Sequence, residues 1–392
     1  MSNQPYRYKI NTSSFAHYWN EGIGVELLQK LGYKPDLAIA EKLIPYLYEW
    51  DRLGDQLVLD IHDNKGFVQG NASLSSYLKA EKLPNDEQNI WFNFFEKIEI
   101  QPEWLDKEKL KYGAELSRRS GLSALIVLRD YCLMGGYESA AINKPLIYTG
   151  ALKKGAVKRL TDTVNFWVHI TKENGLDRNS EGFRQIFLTR IIHSYSRINI
   201  LKHTDWDSNK WGIPINIWDM LATNLGFSLV FLVGLRKIGL QPSEEEIDGL
   251  FHFWKYVGYL LGIPLELLPE NEDEAIEALY LWTMTQHEGD EDSRLLAEAL
   301  QQEPLFANYP KNKLMRMMMR EVHLFYNYFL LGDYSCKILG LPETKVGRLG
   351  VVNIWRTRKF ERTIIDSESR IIAITKGEEE QENVRLVCQE LK

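Results

Sequence analysis

The chain has 392 residues, of which 44% are hydrophobic and 26% are charged, a composition typical of a soluble globular protein. A net charge of −7, with no basic stripe interleaved with aromatic residues, argues against a general nucleic-acid binder. The three cysteines, Cys132, Cys336 and Cys388, are too few and too scattered for a disulfide framework or a thiolate metal site.

The first half of the chain is predicted to be mostly helical. Residues 36–57 carry apolar side chains at helical spacing, with Pro45 as a possible kink. Residues 119–137 read as a strongly apolar helix that ends at two consecutive glycines. Strand signals are weak and confined to residues 56–63 and 369–375, so the pattern indicates an all-α fold with at most minor short strands.

The central region predicts three long helices with clear start signals. Residues 150–175 and 180–203 form the first two, and Ser180 is a candidate N-cap of the second. Asn216 can cap the third, residues 217–238, which is apolar nearly all round and is therefore expected in the core.

A capping box formed by Ser243 and Glu246 begins the next predicted helix. Further helical segments continue to a charged stretch, about residues 343–392, which is expected to be peripheral. The absence of a convincing linker predicts one helical domain over residues 1–392.

The N-terminal segment has no apolar core of a signal peptide. The most apolar run, residues 225–235, is shorter than the roughly 20 residues that a membrane span requires. The sequence therefore predicts a cytoplasmic protein without a stable membrane span.

The stretch TRIIHSYSRINI, residues 189–200, places His193 between Arg190 and Arg197 on a mostly apolar helix. Such a histidine is more often a hydrogen-bonded core residue than a ligand. No companion ligand spacing, such as H-E-x-x-H, is present to complete a site for a bare metal ion. A haem needs only one or two protein ligands, because its porphyrin supplies four, and its propionates bind arginine. A bound haem would therefore account for His193 and the arginines near it, as an alternative to a purely structural role for these residues.

Four segments, in this order, resemble the family of latex-clearing proteins (rubber oxygenases) and MpaB-type oxygenases. The last contains the pattern W-x-x-x-G-x-L-L-G-[IV]-P, and together the matching positions span about residues 150–270. The segments are KRLTDT (158–163), LTRIIHSYSR (188–197), WGIPINIWDMLATNLGFS (211–228) and FWKYVGYLLGIPLELLP (253–269).

The resemblance implies an all-α fold that encloses haem b and uses O2 to cleave a carbon–carbon double bond, with a family-like core over about residues 115–335. It places the proximal iron ligand on His193. The arginine and threonine beside the haem in the family fall on Arg159 and Thr163, which are the candidate catalytic residues and also contact the cofactor. Arg197 matches the arginine that follows the family's histidine, a further cofactor-binding candidate.

The sequence departs from the rubber oxygenases at one distal position. A lysine that can cap the iron precedes the family's threonine, but this chain has Asp162 there. The proposed acidic general base has no secure match, and Glu138 lies only in the right neighbourhood.

The expected function is that of an oxidoreductase, a haem-dependent, dioxygenase-type oxygenase acting on an intracellular isoprenoid or an unsaturated, lipid-like small molecule. Its expected partners are O2 and that apolar substrate, and not nucleic acid. The alternatives are a haem monooxygenase or peroxygenase acting on another small molecule, a non-catalytic haem carrier or sensor, and a haem-free helical protein.

Overall fold

The structure is a computed structural model that describes residues 4–10, 15–61, 66–79, 90–150, 152, 155–307, 309–344 and 348–390. These residues form helices and no strand. The two weak strand predictions were wrong within this part of the chain, because residues 56–61 and 369–375 lie in helices. In the first, Leu57, Val58 and Ile61 are all buried, which is a helical repeat rather than an alternating one.

The helices are numbered in chain order. The first half contains α1 (Phe15–Asn20), α2 (Gly24–Leu31), α3 (Ala38–Glu41), α4 (Arg52–Asp60), α5 (Gly66–Lys79), α6 (Ile90–Glu99), α7 (Lys107–Arg119), α8 (Gly121–Val127), α9 (Met134–Gly136), α10 (Ala140–Tyr148), α11 (Ala156–Thr171) and α12 (Glu181–His203). The second half contains α13 (Ser208–Trp211), α14 (Ile217–Leu225), α15 (Phe231–Ile238), α16 (Glu244–Leu260), α17 (Glu272–Thr283), α18 (Glu291–Phe306), α19 (Lys313–Leu331), α20 (Asp333–Ile338), α21 (Arg348–Glu361) and α22 (Ser367–Glu390).

The predicted helix starts agree with the observed caps. The Ser180 hydroxyl accepts from the Phe183 amide at 3.0 Å and begins α12. Asn216 accepts from the amide of Asp219 at 2.9 Å and begins α14. The predicted capping box at the start of α16 is also present. Local hydrogen bonding therefore fixes where the central helices begin.

Two predicted long helices are interrupted. Residues 36–57 form α3, a short 3-10 turn (Ile44–Leu47) and α4 rather than one kinked helix. The predicted helix 119–137 starts inside α7, and Gly121, with φ of 51°, breaks the chain between α7 and α8. An L side chain rarely adopts that φ, and a Cβ there would also meet Glu380 at 2.3 Å.

Two π-helical segments lie inside otherwise α-helical stretches. Leu128–Leu133 joins α8 to α9, and Gly226–Val230 joins α14 to α15. The two segments pack against each other in the core. Such π turns are rare and frequently occur at functional sites. The sequence pattern did not reveal either of them.

The stretch Ile217–Ile238 is the one described helix long and apolar enough to cross a membrane. However, 78% of its 18-residue apolar window is buried inside the protein. This agrees with its predicted place in the core. The segment predicted to be peripheral is more integrated than expected, since α22 packs on α7, α8 and α11, and Gln381 donates to the Ser117 carbonyl at 2.9 Å.

Candidate active site

The helices α11 and α12 form an antiparallel pair, in which the predicted site residues lie at similar heights along the two helix axes. At Gly182 a Cβ would lie 2.8 Å from the Cα of Ile170, so only glycine allows this approach. Arg159 lies 11 residues before Ile170, and His193 lies 11 residues after Gly182. Both are therefore about 16 Å from that contact along their helices. The fold places the two predicted residues at about the same height on neighbouring helices.

His193 carries a ring nitrogen without a hydrogen-bond partner. Its Nδ1 is buried, and within the described part of the chain nothing donates to it or accepts from it. The ring keeps some accessible surface, but protein surrounds it closely enough that burial lowers its pKa to about 4. The positive charge of Arg197 acts in the same direction, and Asp51 opposes it. The imidazole is therefore neutral at neutral pH, the form that ligates a metal ion.

Arg159 is a partly buried cation without a carboxylate partner in the described chain. Its Nε and Nη1 are buried and have no hydrogen-bond partner there, while Nη2 donates to the Tyr137 hydroxyl. The guanidinium carbon lies 5.3 Å from the centre of the same tyrosine ring. Burial lowers the pKa of Arg159 to about 10, so the side chain still carries its charge at neutral pH. A guanidinium in such an environment is usually compensated by an anion.

Thr163 lies one turn after Arg159, and its hydroxyl donates to the Arg159 carbonyl at 2.9 Å. It is half-buried. Asp162 occupies the position of the family's distal lysine. It pairs with Lys158 on the same helix at 2.5 Å and is partly exposed. The predicted roles of the threonine toward a cofactor and substrate stay predictions.

Arg190, one turn before the histidine, is paired within the protein. Its Nε and Nη2 donate to the two carboxylate oxygens of Asp51 at 2.6 and 2.8 Å, and Nη1 donates to the Leu260 carbonyl at 3.0 Å. Burial alone would raise the pKa of Asp51, but the charge and hydrogen bonds of Arg190 outweigh it, so the pKa is lowered. This bidentate pair fixes α12 to the start of α4.

Arg197, predicted to bind the cofactor, is fully buried, with 0% of its surface exposed. Its Nη1 donates to Asp55, while Nε and Nη2 donate to the carbonyls of Pro214 and Ile215, both at 3.1 Å. Each of its nitrogens thus has a protein partner. The cofactor-binding role of Arg197 stays a prediction, and the contacts observed are those of a structural arginine.

Sequence reasoning missed the partners that distinguish these arginines. Asp51, Asp55 and Tyr137 lie far along the chain from the residues they contact, and no local spacing relates them. Only the Asp51 position carried a signal, because it caps α4 by accepting from the Gly54 amide at 3.1 Å. Glu138, adjacent to Tyr137, is buried, and burial raises its pKa to about 7, with a hydrogen bond to Ser335 acting against this.

The sequence also offers six apolar residues as candidate walls of a substrate site, each of which could equally be plain core, and they divide into core and partly buried groups. Phe227 is partly buried and stacks on Trp254, with ring centres 4.7 Å apart. Leu125 is also partly buried. The remainder are core residues, namely Leu128, Leu225, Phe231 and Trp254. In the described part of the chain, no group of three or more histidine, cysteine or acidic residues could hold a bare metal ion.

A family profile described as "ER-bound oxygenase mpaB/B'/Rubber oxygenase, catalytic domain" matches residues 118–362. This is more than half of the chain, and the chain therefore belongs to that family of oxygenases. The family resemblance read from the four sequence segments is thereby confirmed.

The chain is also similar to an individual relative, the rubber oxygenase of Streptomyces sp. (strain K30). The two are 23% identical over 233 residues, which are 58% of this chain and 56% of that protein. The chain thus aligns with about half the length of that relative.

The structure is similar to one titled "Structure of Latex Clearing Protein LCP in the closed state". The TM-score is 0.66 with 18% sequence identity, covering 87% of this chain and 91% of that chain. At this identity the similarity shows a shared fold, and the predicted all-α fold class is confirmed.

Proposed function

We propose that this protein is a haem b-dependent oxygenase that uses O2 to cleave a carbon–carbon double bond in an intracellular isoprenoid or unsaturated, lipid-like molecule. The observation that carries the proposal is the pairing of two unsatisfied groups at one level of α11 and α12. They are the neutral imidazole of His193, whose Nδ1 has no partner in the described chain, and the guanidinium of Arg159, whose Nε and Nη1 have none there either. Family membership supports the oxygenase part of the proposal.

The residues present fit a haem. The neutral imidazole of His193 would hold the iron of a haem, and one protein ligand would be sufficient because the porphyrin supplies four. The guanidinium of Arg159, which has no carboxylate partner in the described part of the chain, would receive a propionate, and the propionate would neutralise its charge. When bound, the haem supplies the iron that activates O2.

The chain's own residues would position the reactants. His193 holds the cofactor through a ring nitrogen, and the Arg190–Asp51 pair keeps its helix in place. Thr163, one turn from Arg159, offers a hydroxyl oxygen that can accept a hydrogen bond while it donates to the backbone. Apolar side chains such as Phe227 would hold a hydrocarbon by exclusion of water, since an alkene offers few polar handles.

The first test is the absorption spectrum of protein purified from haem-supplied cells. We expect a Soret band in the parent protein and its loss in His193→Ala, because the axial ligand is gone. His169→Ala is the matched control, since its pKa is also lowered to about 4 by burial and it lies on the neighbouring helix. A colourless parent, or equal haem content in both variants, would contradict the cofactor assignment.

The second test identifies the products made from short polyprenes and other unsaturated lipids. Carbonyl fragments detected by mass spectrometry are the expected result of double-bond cleavage. Hydroxylated or epoxidised products of unbroken chains would indicate a monooxygenase or peroxygenase instead. Haem retention without any turnover across the substrate panel would favour a carrier or sensor.

A further inference from the structure

The distribution of charge along the chain is strongly uneven. Residues 304–362 contain 11 Lys and Arg against 4 Asp and Glu, a net charge of +7. The rest of the chain contains 36 basic and 50 acidic residues, a net charge of −14. A basic region within an acidic protein indicates a partner of negative charge.

The first turns of α19 in this region expose an apolar face. At about 100° per residue, its apolar side chains span roughly 200° of the helix, and the basic residues occupy the opposite side. The apolar set is Leu314, Met315, Met317, Met318 and Met319, and all five are exposed. The basic set is Lys313, Arg316 and Arg320. Three of the four buried residues of the same helix, Leu324, Asn327 and Leu330, lie on the side of the basic set, whereas Tyr326, further along, is buried at the edge of the apolar arc, so the exposed apolar face is confined to the first turns. The apolar face therefore points away from the core.

A second helix in the same region, α21, has the same character. It packs against α19 and exposes Val351, Val352 and Trp355, the last with 61% of its surface accessible. The Lys359 amine lies 5.3 Å from the centre of the Trp355 ring. Tryptophan and lysine together are typical of helices at a membrane–water interface, where the ring and the cation find different environments.

We propose that the exposed apolar residues in the first turns of α19 and on α21, together with the exposed cations Lys313 and Lys359, bind the surface of an anionic lipid bilayer; these residues are here called the docking face. Charge complementarity selects this partner. A second copy of the chain would bring two regions of net charge +7 together, which like-charge repulsion disfavours. The exposed methionines and Trp355 project from helices and can enter the boundary between head groups and acyl chains. A protein that takes its substrate from a bilayer would gain access to it by lying on that surface.

The test is flotation of the full-length protein, as purified, with vesicles of phosphatidylcholine alone or mixed with phosphatidylglycerol. We expect binding only to the mixed vesicles and its loss at high salt, because screening weakens the attraction. Lys313→Gln with Lys359→Gln should reduce partitioning by about fivefold for each cation removed. Leu314→Gln with Met318→Gln and Trp355→Gln should abolish it.

Matched controls come from the acidic part of the chain. Val68→Gln with Ile100→Gln removes two exposed apolar residues, and Lys42→Gln with Lys202→Gln removes two exposed cations. Both should bind like the parent, and circular dichroism should show unchanged helix content in every variant.

Absence of binding to mixed vesicles, or equal losses in controls and docking-face variants, would overturn the proposal. So would light scattering that shows a dimer dissociated by the triple variant, or competition by acidic peptides without lipid binding. The vesicles contain no substrate, so the outcome is independent of the proposed oxygenase activity.

Discussion

Arg190 and Arg159 lie on neighbouring helices, and both are largely surrounded by protein, but their hydrogen-bond partners differ. Arg190 has a bidentate carboxylate partner in Asp51 at 2.6 and 2.8 Å. Arg159 has a tyrosine hydroxyl and two buried, unpartnered nitrogens. A buried charge without compensation is costly, so it persists where a ligand is to supply the opposite charge. The missing carboxylate, rather than the arginine itself, points to a site.

Other buried arginines support this distinction. Arg7 donates to both oxygens of Asp219, each at 2.6 Å. Arg119 does the same with Glu246, at 2.6 and 2.7 Å. Arg7 joins the N-terminal segment to α14 and Arg119 joins α7 to α16, so the fold supplies both members of each pair. Arg159 departs from this pattern within the described chain.

The largest effect is expected from Arg190→Met. This substitution keeps the volume but leaves the buried Asp51 carboxylate without its main partner. We expect a loss of about 3–5 kcal/mol in the free energy of unfolding, the usual cost of breaking a buried ion pair from one side. Urea denaturation followed by circular dichroism measures it.

The control is a double-mutant cycle with Asp51→Asn. Removing both charges should recover part of the loss, because no uncompensated ion then remains buried. A cost below about 1 kcal/mol for the single variant would mean that the pair is solvated and that the contrast with Arg159 is unfounded.

Arg159→Met should act in the opposite direction on the haem-free protein. Removing a buried cation without a carboxylate partner is expected to raise the free energy of unfolding by about 1 kcal/mol. The same variant should bind haem about 10- to 100-fold more weakly, because a charge-assisted hydrogen bond to a propionate is lost. Denaturation of the apo-protein and haem titration measure the two effects.

Tyr137→Phe provides a matched control for that variant, since it removes only the hydroxyl that accepts from Arg159. It should leave the haem affinity closer to that of the parent. Destabilisation of the apo-protein by Arg159→Met would show that the guanidinium already has a counter-charge, and the inferred vacancy for an anion would be wrong.

The sequence predicted the central helices well because their signals are local. Caps such as Ser180 and Asn216 act within three residues of the helix start, and the apolar repeat of residues 217–238 identified a core helix. Interruptions were missed where the cause is distant in sequence. Gly121 separates two helices through its backbone conformation and its approach to Glu380, which no local repeat encodes.

The site was predicted only as far as residue types allow. His193 was singled out from its place among arginines on an apolar helix and again from the resemblance, and Arg159 from the resemblance alone; the two lie at about the same height on adjacent helices. Which arginines are paired could not be predicted, because Asp51 and Asp55 precede their partners by 139 and 142 residues. Pairing across such separations is a property of tertiary packing.

The pH dependence of the free energy of unfolding tests whether burial on α11 also disfavours the charged form of a second side chain, His169. His169 on α11 has its pKa lowered from 6.5 to about 4, chiefly by burial and then by Arg385. The unfolded chain takes up this proton near pH 6.5 and the folded protein only near pH 4. The contribution of neutral His169 to the free energy of unfolding is therefore fully present above about pH 6.5 and is lost as the pH falls toward 4.

After allowance for its partial exposure, that contribution is about 1–2 kcal/mol. His169→Gln should flatten the stability curve of the apo-protein between pH 4 and 6.5, as measured by urea denaturation at several pH values. Parallel curves for the parent and the variant would show that the histidine is protonated at no cost in the folded state.

The smallest effect is expected at the exposed pair on the same helix, Lys158 and Asp162, which lie 2.5 Å apart. Asp162→Asn should change the free energy of unfolding by less than about 0.5 kcal/mol, because water and salt screen both charges. Haem content should also stay at the parent level, since Arg159 is untouched. Denaturation at low and high salt measures the first effect, and a loss comparable to that of Arg190→Met would remove the distinction between buried and exposed pairs. A small effect here would show that an ion pair on these helices contributes substantially to stability only where it is buried, as it is for Arg190 and Asp51.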